Sequence, residues 1–199
     1  MRIIAGQWRS RRLRRPPGNG TRPMPDRVKG AVFNILAVRY GCPGNLPALS
    51  VADVFAGSGS LGLEALSRGA ARCCFFERSP EAVATLRANL DDLRVGPEAS
   101  INRCDAWHHA PVDSEGDPFG LVFLDPPYRD SLDVTADGYV RKYLQRLARL
   151  DGISPLVVLH HRADVTFEPG PADPGGRQGR SAIVDVRTFG TSAITFFEP

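Results

Sequence analysis

The chain has 199 residues, of which 42% are hydrophobic, and a formal net charge of +3 at pH 7. This length and composition suit one globular domain with at most one appendage. No apolar stretch approaches the roughly 20 residues that cross a bilayer, and the arginine-rich start lacks the apolar core of a signal peptide. We therefore expect a cytoplasmic protein that works as a monomer and has no membrane partner.

The positive charge is concentrated near the N-terminus. Residues 1–30 contain nine Lys and Arg residues but one acidic residue, Asp26, so this segment carries +8 and the rest of the chain −5. Arginines next to Trp8 combine phosphate neutralisation with a stacking surface, which indicates RNA binding; the alternative is a solvated basic tail. The predicted RNA-binding residues are Arg2, Trp8, Arg9, Arg11, Arg12, Arg14, Arg15, Arg22 and Arg27.

Apolar residues in the same segment argue against a free tail. Ile3, Ile4 and Leu13 favour a short hairpin that turns at Gly6, lies on the domain and presents its arginines outward. We therefore predict a basic N-terminal arm, residues 1–24, and a main domain, residues 25–199.

Hydrophobic periodicity beyond the arm alternates between helix and strand. It predicts one helix over 26–39, a second over 60–68, a third that begins at the N-cap Ser79, and a fourth that includes 140–150. The predicted strands are 51–55, 72–76, 99–104, 121–124 and 156–160, followed by a closing hairpin of 182–186 and 193–197. Alternating strands and helices with a terminal hairpin predict an α/β fold with a mostly parallel, seven-stranded sheet.

A glycine-rich turn follows the first strand. The segment Ala56-Gly57-Ser58-Gly59-Ser60-Leu61-Gly62 joins that strand to a helix, which predicts a ligand-binding junction. Glu77 ends the next strand, 20 residues after Gly57, where a carboxylate can take two ribose hydroxyls. The glycines also match the dinucleotide fingerprint, so the loop alone leaves the cofactor open.

The strand at 121–124 ends in Asp125-Pro126-Pro127-Tyr128. Prolines cannot continue a central ladder, so the strand stops there and a rigid turn follows. Asp125 and the Pro126 carbonyl can accept hydrogen bonds from an exocyclic amine, and Tyr128 can stack on a base. The tetrapeptide predicts amino-group chemistry on a base; the alternative is an ordinary surface turn.

Two features favour S-adenosylmethionine over a dinucleotide. Asp53 places negative charge beside the glycine loop, where it would repel a pyrophosphate and attract ammonium and sulfonium groups. The turn at Asp125 offers an amine a place beside a methyl donor and has no role in hydride transfer. The helix N-terminus after the loop can serve the cofactor's carboxylate.

Several segments in order resemble one bacterial family, the 16S rRNA (guanine-N2)-methyltransferases of type D, which act on the small ribosomal subunit. The matching segments are Met1 to Gly6, Thr21-Arg22-Pro23, Asp26-Arg27-Val28, Phe33-Asn34, Asp53 with Phe55 to Gly59, Leu61 to Gly69, and Phe123 to Tyr128. The resemblance runs from residue 1 to about residue 130. It departs at Met24-Pro25, at His160-His161, where the family commonly has an acidic residue, and at Phe189-Gly190.

The resemblance implies a Rossmann-like class I methyltransferase that acts on one guanine N2 of 16S rRNA, on the assembled small subunit. Carried onto this chain, Asp53, Gly57 and Gly59 would hold the methionine part, Glu77 the ribose, and Asp105 with Ala106 the adenine edge. The full set of expected cofactor residues is Asp53, Phe55, Ala56, Gly57, Ser58, Gly59, Glu77, Arg78, Asp105 and Ala106. The expected catalytic turn is Asp125, Pro126, Pro127 and Tyr128.

The residues leave other functions open. An adenine-N6 methyltransferase on DNA or RNA would use a similar turn, and a glutamine-N5 methyltransferase would typically carry Asn at position 125. A non-catalytic RNA-binding or assembly protein would keep the fold but leave Asp53, Glu77 and Asp125 unexplained. We expect no metal, because the neighbours in His108-His109 and in His160-His161 point to opposite faces of a strand.

Overall fold

The structure is a computed structural model and describes residues 1–17, 24–108, 112, 116, 118–135, 137–149, 155–168 and 182–199. The chain falls into two compact units, Met1–His109 and Ala110–Pro199. The division into an arm of residues 1–24 and a domain of residues 25–199 stays a prediction.

Three parallel strands form the centre of the first unit. They are β1 (Ser50–Val54), β2 (Arg72–Phe76) and β3 (Ala99–Asn102), in the order β3-β2-β1. β1 and β2 are buried in four of their five residues each, as expected for parallel strands covered on both faces. Because the strands are parallel and adjacent, the residues that follow them lie at one edge of this unit.

The helices of the first unit are α1 (Asp26–Arg39), α2 (Ser60–Ser67) and α3 (Pro80–Leu93). α3 begins as predicted, because the Ser79 hydroxyl accepts from the Ala82 N–H at 3.3 Å and proline occupies the first helical position. All eight residues of α2 are buried. In the described part of the chain, no helix combines the length and apolarity that crossing a membrane would require.

The second unit contains four strands and one α-helix in its described residues. The strands are β4 (Leu121–Leu124), β5 (Leu156–Arg162), β6 (Ala182–Phe189) and β7 (Ser192–Glu198), in the order β4-β5-β7-β6. β4 and β5 are parallel, whereas β7 pairs antiparallel with both β5 and β6. The helix is α4 (Tyr139–Leu147).

The predicted fold class is confirmed by the seven strands, the parallel pairing of β1 to β3 and of β4 with β5, and the terminal antiparallel hairpin. Several predicted boundaries were wrong. β3 ends at Asn102 rather than at 104, α4 ends at Leu147 rather than at 150, and β6 continues to Phe189 rather than ending at 186. Phe55 lies outside β1, because its φ of 68° is left-handed and cannot continue a strand. β5 extends beyond His160 to Arg162, because β7 continues to pair with it as far as Ser192.

Candidate functional site

The loop between β1 and α2 turns through three left-handed residues. Phe55, Gly57 and Gly59 have φ values of 68°, 56° and 79°. Glycine adopts this region freely, but a residue with a side chain does so at a cost. The Phe55 N–H donates to the Phe76 carbonyl at 3.1 Å, and the Phe55 ring meets Trp107 edge-on with 4.7 Å between centroids. These contacts hold the loop in its unfavourable starting conformation.

The glycines of the loop serve different purposes. A Cβ at Gly57 would meet no heavy atom closer than 4.0 Å, so there is open space beside this left-handed backbone. A Cβ at Gly59 would overlap Leu86, and one at Gly62 would overlap Phe75. Gly57 therefore leaves the backbone accessible to a ligand, whereas Gly59 and Gly62 permit the close packing of α2 against β2 and α3.

Asp53 lies under this loop and is only 2% exposed. Its Oδ2 accepts from the Gly62 N–H at 2.8 Å. This bond satisfies one of the free amides in the first turn of α2, and the helix dipole favours the negative charge there. The carboxylate therefore anchors α2 to β1 and keeps a negative charge beneath the loop.

Glu77 follows β2 and holds the same loop from the side. Its Oε2 accepts from the Gly57 N–H at 2.9 Å, and its Oε1 accepts from the Ser79 N–H at 2.8 Å. The side chain is half-buried and its two oxygens are oriented by these bonds. A carboxylate has about four lone-pair sites, so acceptor capacity remains for hydroxyl groups of a ligand. Arg78, the next residue, is exposed.

Asp105 and Ala106 follow β3 at the same edge of the first unit. The Asp105 carboxylate accepts from the Trp107 N–H at 3.1 Å and lies 3.1 Å from the His108 Nδ1. Partial burial acts to raise the pKa of Asp105, but these two hydrogen bonds and the charge of Arg78 outweigh burial and lower the pKa. Ala106 is buried, while the Asp105 side chain is 46% exposed.

In the second unit, β4 runs directly into the turn Asp125-Pro126-Pro127-Tyr128. Pro126 is buried and Pro127 half-buried, so the turn is packed into the unit. The Asp125 side chain is 23% exposed and Tyr128 is 37% exposed. Tyr128 begins a short 3-10 helix that ends at Ser131, whose hydroxyl donates to the Tyr128 carbonyl at 3.0 Å. The turn therefore presents a carboxylate and an aromatic ring from a fixed backbone.

Side chains from β5 and β7 also contact the turn, and sequence analysis missed both roles. His160 on β5 is 2% exposed, and its Nδ1 lies 2.8 Å from the Asp125 Oδ1. The Tyr128 hydroxyl lies 3.5 Å from the His160 Nε2 and 3.1 Å from the Ser192 Oγ on β7. The available signal was a histidine near the carboxyl end of a strand; Ser192 required knowledge of the β5–β7 register.

His161 lies on the opposite face of β5 from His160. Its Nδ1 donates to the Arg162 carbonyl at 2.8 Å, so its Nε2 accepts from the Thr195 hydroxyl at 2.8 Å. Burial lowers the pKa of His161 and favours the neutral ring. No group of three or more His, Cys, Asp or Glu residues suited to a metal ion occurs in the described ranges, and His109 lies outside them.

The N-terminal arm forms the hairpin that was predicted. Arg2 and Arg12 make an antiparallel bridge, and both Ile3 and Leu13 are buried. Gly6 has a φ of 81° and lies so close to the backbone at the end of α2 that a Cβ would not fit. The described residues of the arm, 1–17, therefore pack against α2 within the first unit.

A buried carboxylate that sequence analysis did not single out fastens the arm to α2. Glu64 accepts from the N–H groups of Ile4 and Ala5 at 2.7 and 3.0 Å. Lys29 Nζ lies 3.3 Å and Arg68 Nε 2.8 Å from its oxygens, and all three charged side chains are at most 3% exposed. Desolvation lowers the pKa of Lys29, although the charge of Glu64 opposes it. Lys29 was counted with the basic segment, but it adds nothing to the surface charge.

The arginines of the arm divide into two groups. Arg14 contacts the Asp92 carboxylate at 2.8 and 3.1 Å, and the Arg11 guanidinium donates to the Asp92 carbonyl at 2.7 Å. Arg2 lies 3.4 Å from Asp26. These three remain exposed but are held by partners within the unit. The predicted arginines whose guanidinium has no partner among the described residues are Arg9, Arg12, Arg15 and Arg27.

Asn89 on α3 connects the arm to the glycine loop. Its Oδ1 accepts from the Arg14 N–H at 2.8 Å, and its Nδ2 donates to the Arg14 carbonyl at 3.2 Å and the Ser58 carbonyl at 2.9 Å. Trp8 is half-buried rather than fully presented to solvent, and Arg22 lies outside the described residues. The glycine loop and the arm are therefore linked through Asn89, and also by the Ser58 hydroxyl, which donates to the Met1 Sδ at 3.4 Å.

The sequence matches one family model, described as Conserved hypothetical protein 95, over residues 1–171. The chain belongs to this family. Ribosomal RNA small subunit methyltransferase D of Escherichia coli (strain K12) is 42% identical over 132 residues, which cover 66% of this chain and 62% of that protein. The aligned part spans less than two thirds of the relative. The resemblance to the type D methyltransferases is confirmed by this match.

Solved structures agree with the family and the fold. The Escherichia coli protein yhhF has a TM-score of 0.73 and 29% identity, and the match covers 100% of this chain and 97% of that one. An RNA methyltransferase from Salinibacter ruber, in complex with S-adenosyl-L-homocysteine, has a TM-score of 0.59 and 17% identity, with 89% and 94% covered. At that identity the likeness shows the fold alone. The chain therefore has a Rossmann-like methyltransferase fold.

Proposed function

We propose that this protein transfers a methyl group from S-adenosylmethionine to the exocyclic N2 of a guanine in 16S rRNA, on the assembled small subunit. The name of the Escherichia coli relative supports methylation of small-subunit rRNA. The observation that carries the proposal is the Asp125–Tyr128 turn, because a fixed carboxylate and an exposed aromatic ring there can hold a base by its amine and its face.

The strand ends of the first unit fit S-adenosylmethionine. Open space beside Gly57 lets the loop backbone approach the ligand, and the negative charge of Asp53 favours cationic groups over a pyrophosphate. The oriented carboxylate of Glu77 takes the ribose hydroxyls, and Asp105 with Ala106 takes the adenine edge. When bound, the cofactor supplies an electrophilic methyl group on its sulfonium.

The turn of the second unit acts on the acceptor. Guanine N2 is a poor nucleophile, because its lone pair is delocalised into the purine. Asp125 and the Pro126 carbonyl accept hydrogen bonds from the amine, which favours a pyramidal nitrogen with a directed lone pair. Tyr128 stacks on the ring and fixes its orientation, so positioning supplies much of the acceleration. The base must be unstacked first, at a cost of about a few kcal/mol that is lowest in an RNA loop.

The arm supplies affinity for the RNA. Its unpartnered arginines (Arg9, Arg12 and Arg15) neutralise phosphates together with Arg27 on α1, and Trp8 contributes the exposed part of its ring. Because the hairpin within residues 1–17 is held by Glu64, the charges on this hairpin are presented from a defined position. We assign the enzyme to the cytoplasm, where it would meet the small subunit as a monomer.

The Asp125→Ala variant tests the catalytic assignment. We expect turnover to fall by at least about a hundredfold, because the substituted side chain no longer accepts from the amine. Cofactor affinity, measured by calorimetry, should stay unchanged, since the expected cofactor residues belong to the first unit. The matched control is Asp164→Ala, which removes an exposed carboxylate of the same unit and should leave turnover intact. Unaltered turnover in Asp125→Ala would refute the assignment.

A further inference from the structure

His160 contacts the two side chains of the turn on which the proposed function depends. It lies on β5, which is parallel and adjacent to β4, and its ring is 2% exposed. One ring nitrogen is 2.8 Å from the Asp125 Oδ1, and the other is 3.5 Å from the Tyr128 hydroxyl. The rings of His160 and Tyr128 meet edge-on, with 5.7 Å between centroids.

The donor and acceptor groups of these side chains determine which atom donates in each of their hydrogen bonds. An ionised Asp125 only accepts, so the His160 Nδ1 carries the proton and donates to it. In the neutral ring the Nε2 then accepts, which requires the Tyr128 hydroxyl to donate to it. The Ser192 hydroxyl, 3.1 Å away, donates in turn to the Tyr128 oxygen. All four side chains are therefore matched as donor and acceptor.

The contact also leaves one oxygen of Asp125 for a substrate. Oδ1 is engaged by His160, and the other carboxylate oxygen has no hydrogen-bonding partner among the residues that the structure describes. The Asp125 side chain is 23% exposed, whereas His160 is buried behind it. His160 can therefore set the angle of the carboxylate without meeting the substrate itself.

We propose that His160 is a positioning residue, which orients the Asp125 carboxylate toward the acceptor amine and fixes the Tyr128 hydroxyl through its second nitrogen. The proposal rests on the proposed function of the turn. His160 acts on the rate of transfer and not on the affinity for RNA or cofactor, because the side-chain hydrogen bonds described for it are to Asp125 and Tyr128 of the turn. His161, its neighbour, bonds to Thr195 and Arg162 instead and has no such role.

Substitutions that preserve one ring nitrogen at a time test the two contacts separately. His160→Asn keeps an amide near the Nδ1 position and therefore a donor for Asp125, whereas His160→Gln places its amide near Nε2 and Tyr128. His160→Leu removes both contacts with a similar volume. We expect kcat to fall about tenfold to a hundredfold in His160→Leu, since a hydrogen bond to a charged group is lost. In His160→Asn, kcat should return to within a few fold of wild type, and KM for RNA and Kd for the cofactor should stay unchanged throughout.

The control is His161→Asn, which disturbs a buried histidine of the same strand. It should retain wild-type kcat even where its thermal unfolding midpoint falls. The proposal is overturned if His160→Leu keeps wild-type kcat, or if His160→Asn loses as much kcat as His160→Leu while remaining folded.

A second measurement tests the positioning without turnover. Nitrogen-15 NMR of the wild-type histidines should show the His160 ring protonated at Nδ1 and accepting at Nε2, and Asp125→Ala should change the Nδ1 signal. A ring protonated only at Nε2 would overturn the proposal. If wild-type protein methylates no RNA at all, the proposed function fails, and the NMR result alone still decides whether His160 holds Asp125.

Discussion

Replacement of Glu64 by Gln tests how the N-terminal arm is held. The carboxylate accepts from two backbone N–H groups of the arm and lies between two buried cations, Lys29 and Arg68. Glu64→Gln keeps the size of the side chain but removes its charge and replaces one acceptor oxygen by a donor. The two cations then lose the carboxylate that lies within 3.3 Å of both, in a site from which water is excluded.

The expected cost follows from that burial. Removing one partner of a buried ion pair destabilises a protein by about 3–5 kcal/mol. Backbone N–H groups left without an acceptor act in the same direction, although the remaining amide oxygen of Gln satisfies one of them. For a chain of this size, the loss corresponds to a decrease in the thermal midpoint of roughly 6–20 °C.

Urea unfolding of wild type and variant measures the loss directly. Glu168→Gln is the matched control, because Glu168 is exposed and the same chemical change should alter the free energy of unfolding by less than about 0.5 kcal/mol. Adding Lys29→Met to Glu64→Gln should recover part of the loss, since it removes one uncompensated cation. A loss below about 1 kcal/mol in Glu64→Gln would refute the claim that this cluster fastens the arm.

Three further predictions concern the RNA surface, the buried histidine and the glycine loop. The unpartnered arginines of the hairpin are Arg9, Arg12 and Arg15. Replacing all three by alanine should decrease the slope of log affinity against log salt concentration for single-stranded rRNA by about 2, measured by fluorescence anisotropy. An unchanged slope would show that these arginines do not contact the RNA. Because the pKa of His161 is lowered on folding, the unfolded chain takes up the proton first as pH falls below about 6.5, and stability decreases there. Urea titrations at pH 7.5 and 5.5 (about one unit either side of that value) measure how much the free energy of unfolding decreases between the two pH values. This decrease should be smaller for His161→Gln than for wild type, and equal decreases would contradict this reasoning. Gly59→Ala should weaken cofactor binding, because its Cβ would overlap Leu86, whereas Gly41→Ala has the same left-handed strain with no atom nearby and should bind normally in calorimetry.

The local signals of the sequence predicted much of the first unit. Ser79 and Pro80 marked the start of α3, and the glycines marked the loop, because capping and left-handed turns depend on residues that are adjacent in the chain. Glu77 was predicted as a candidate because it follows a strand, and Asp105 because the family resemblance implies it. Parallel pairing then brings them to one edge of the unit.

The missed contacts join residues that are distant in the chain. Glu64 meets Ile4 across 60 positions, and His160 meets Asp125 across 35, so neither pair leaves a periodic signal. Arg14 is exposed, as expected, but its guanidinium also contacts Asp92 on α3, which was not predicted. Buried charges such as Lys29 are also invisible to a count of net charge, because only packing decides which cations reach the surface.

Methyl transfer to small ribosomal subunits that lack the modification is the most direct test of the proposed function. The subunits are incubated with labelled S-adenosylmethionine, with naked rRNA, DNA and protein in parallel, and the products are resolved by nucleoside analysis. We predict N2-methylguanine on the subunit. Label found as N6-methyladenine or in protein would contradict the proposed substrate, and no label in any acceptor would contradict the assignment as an enzyme.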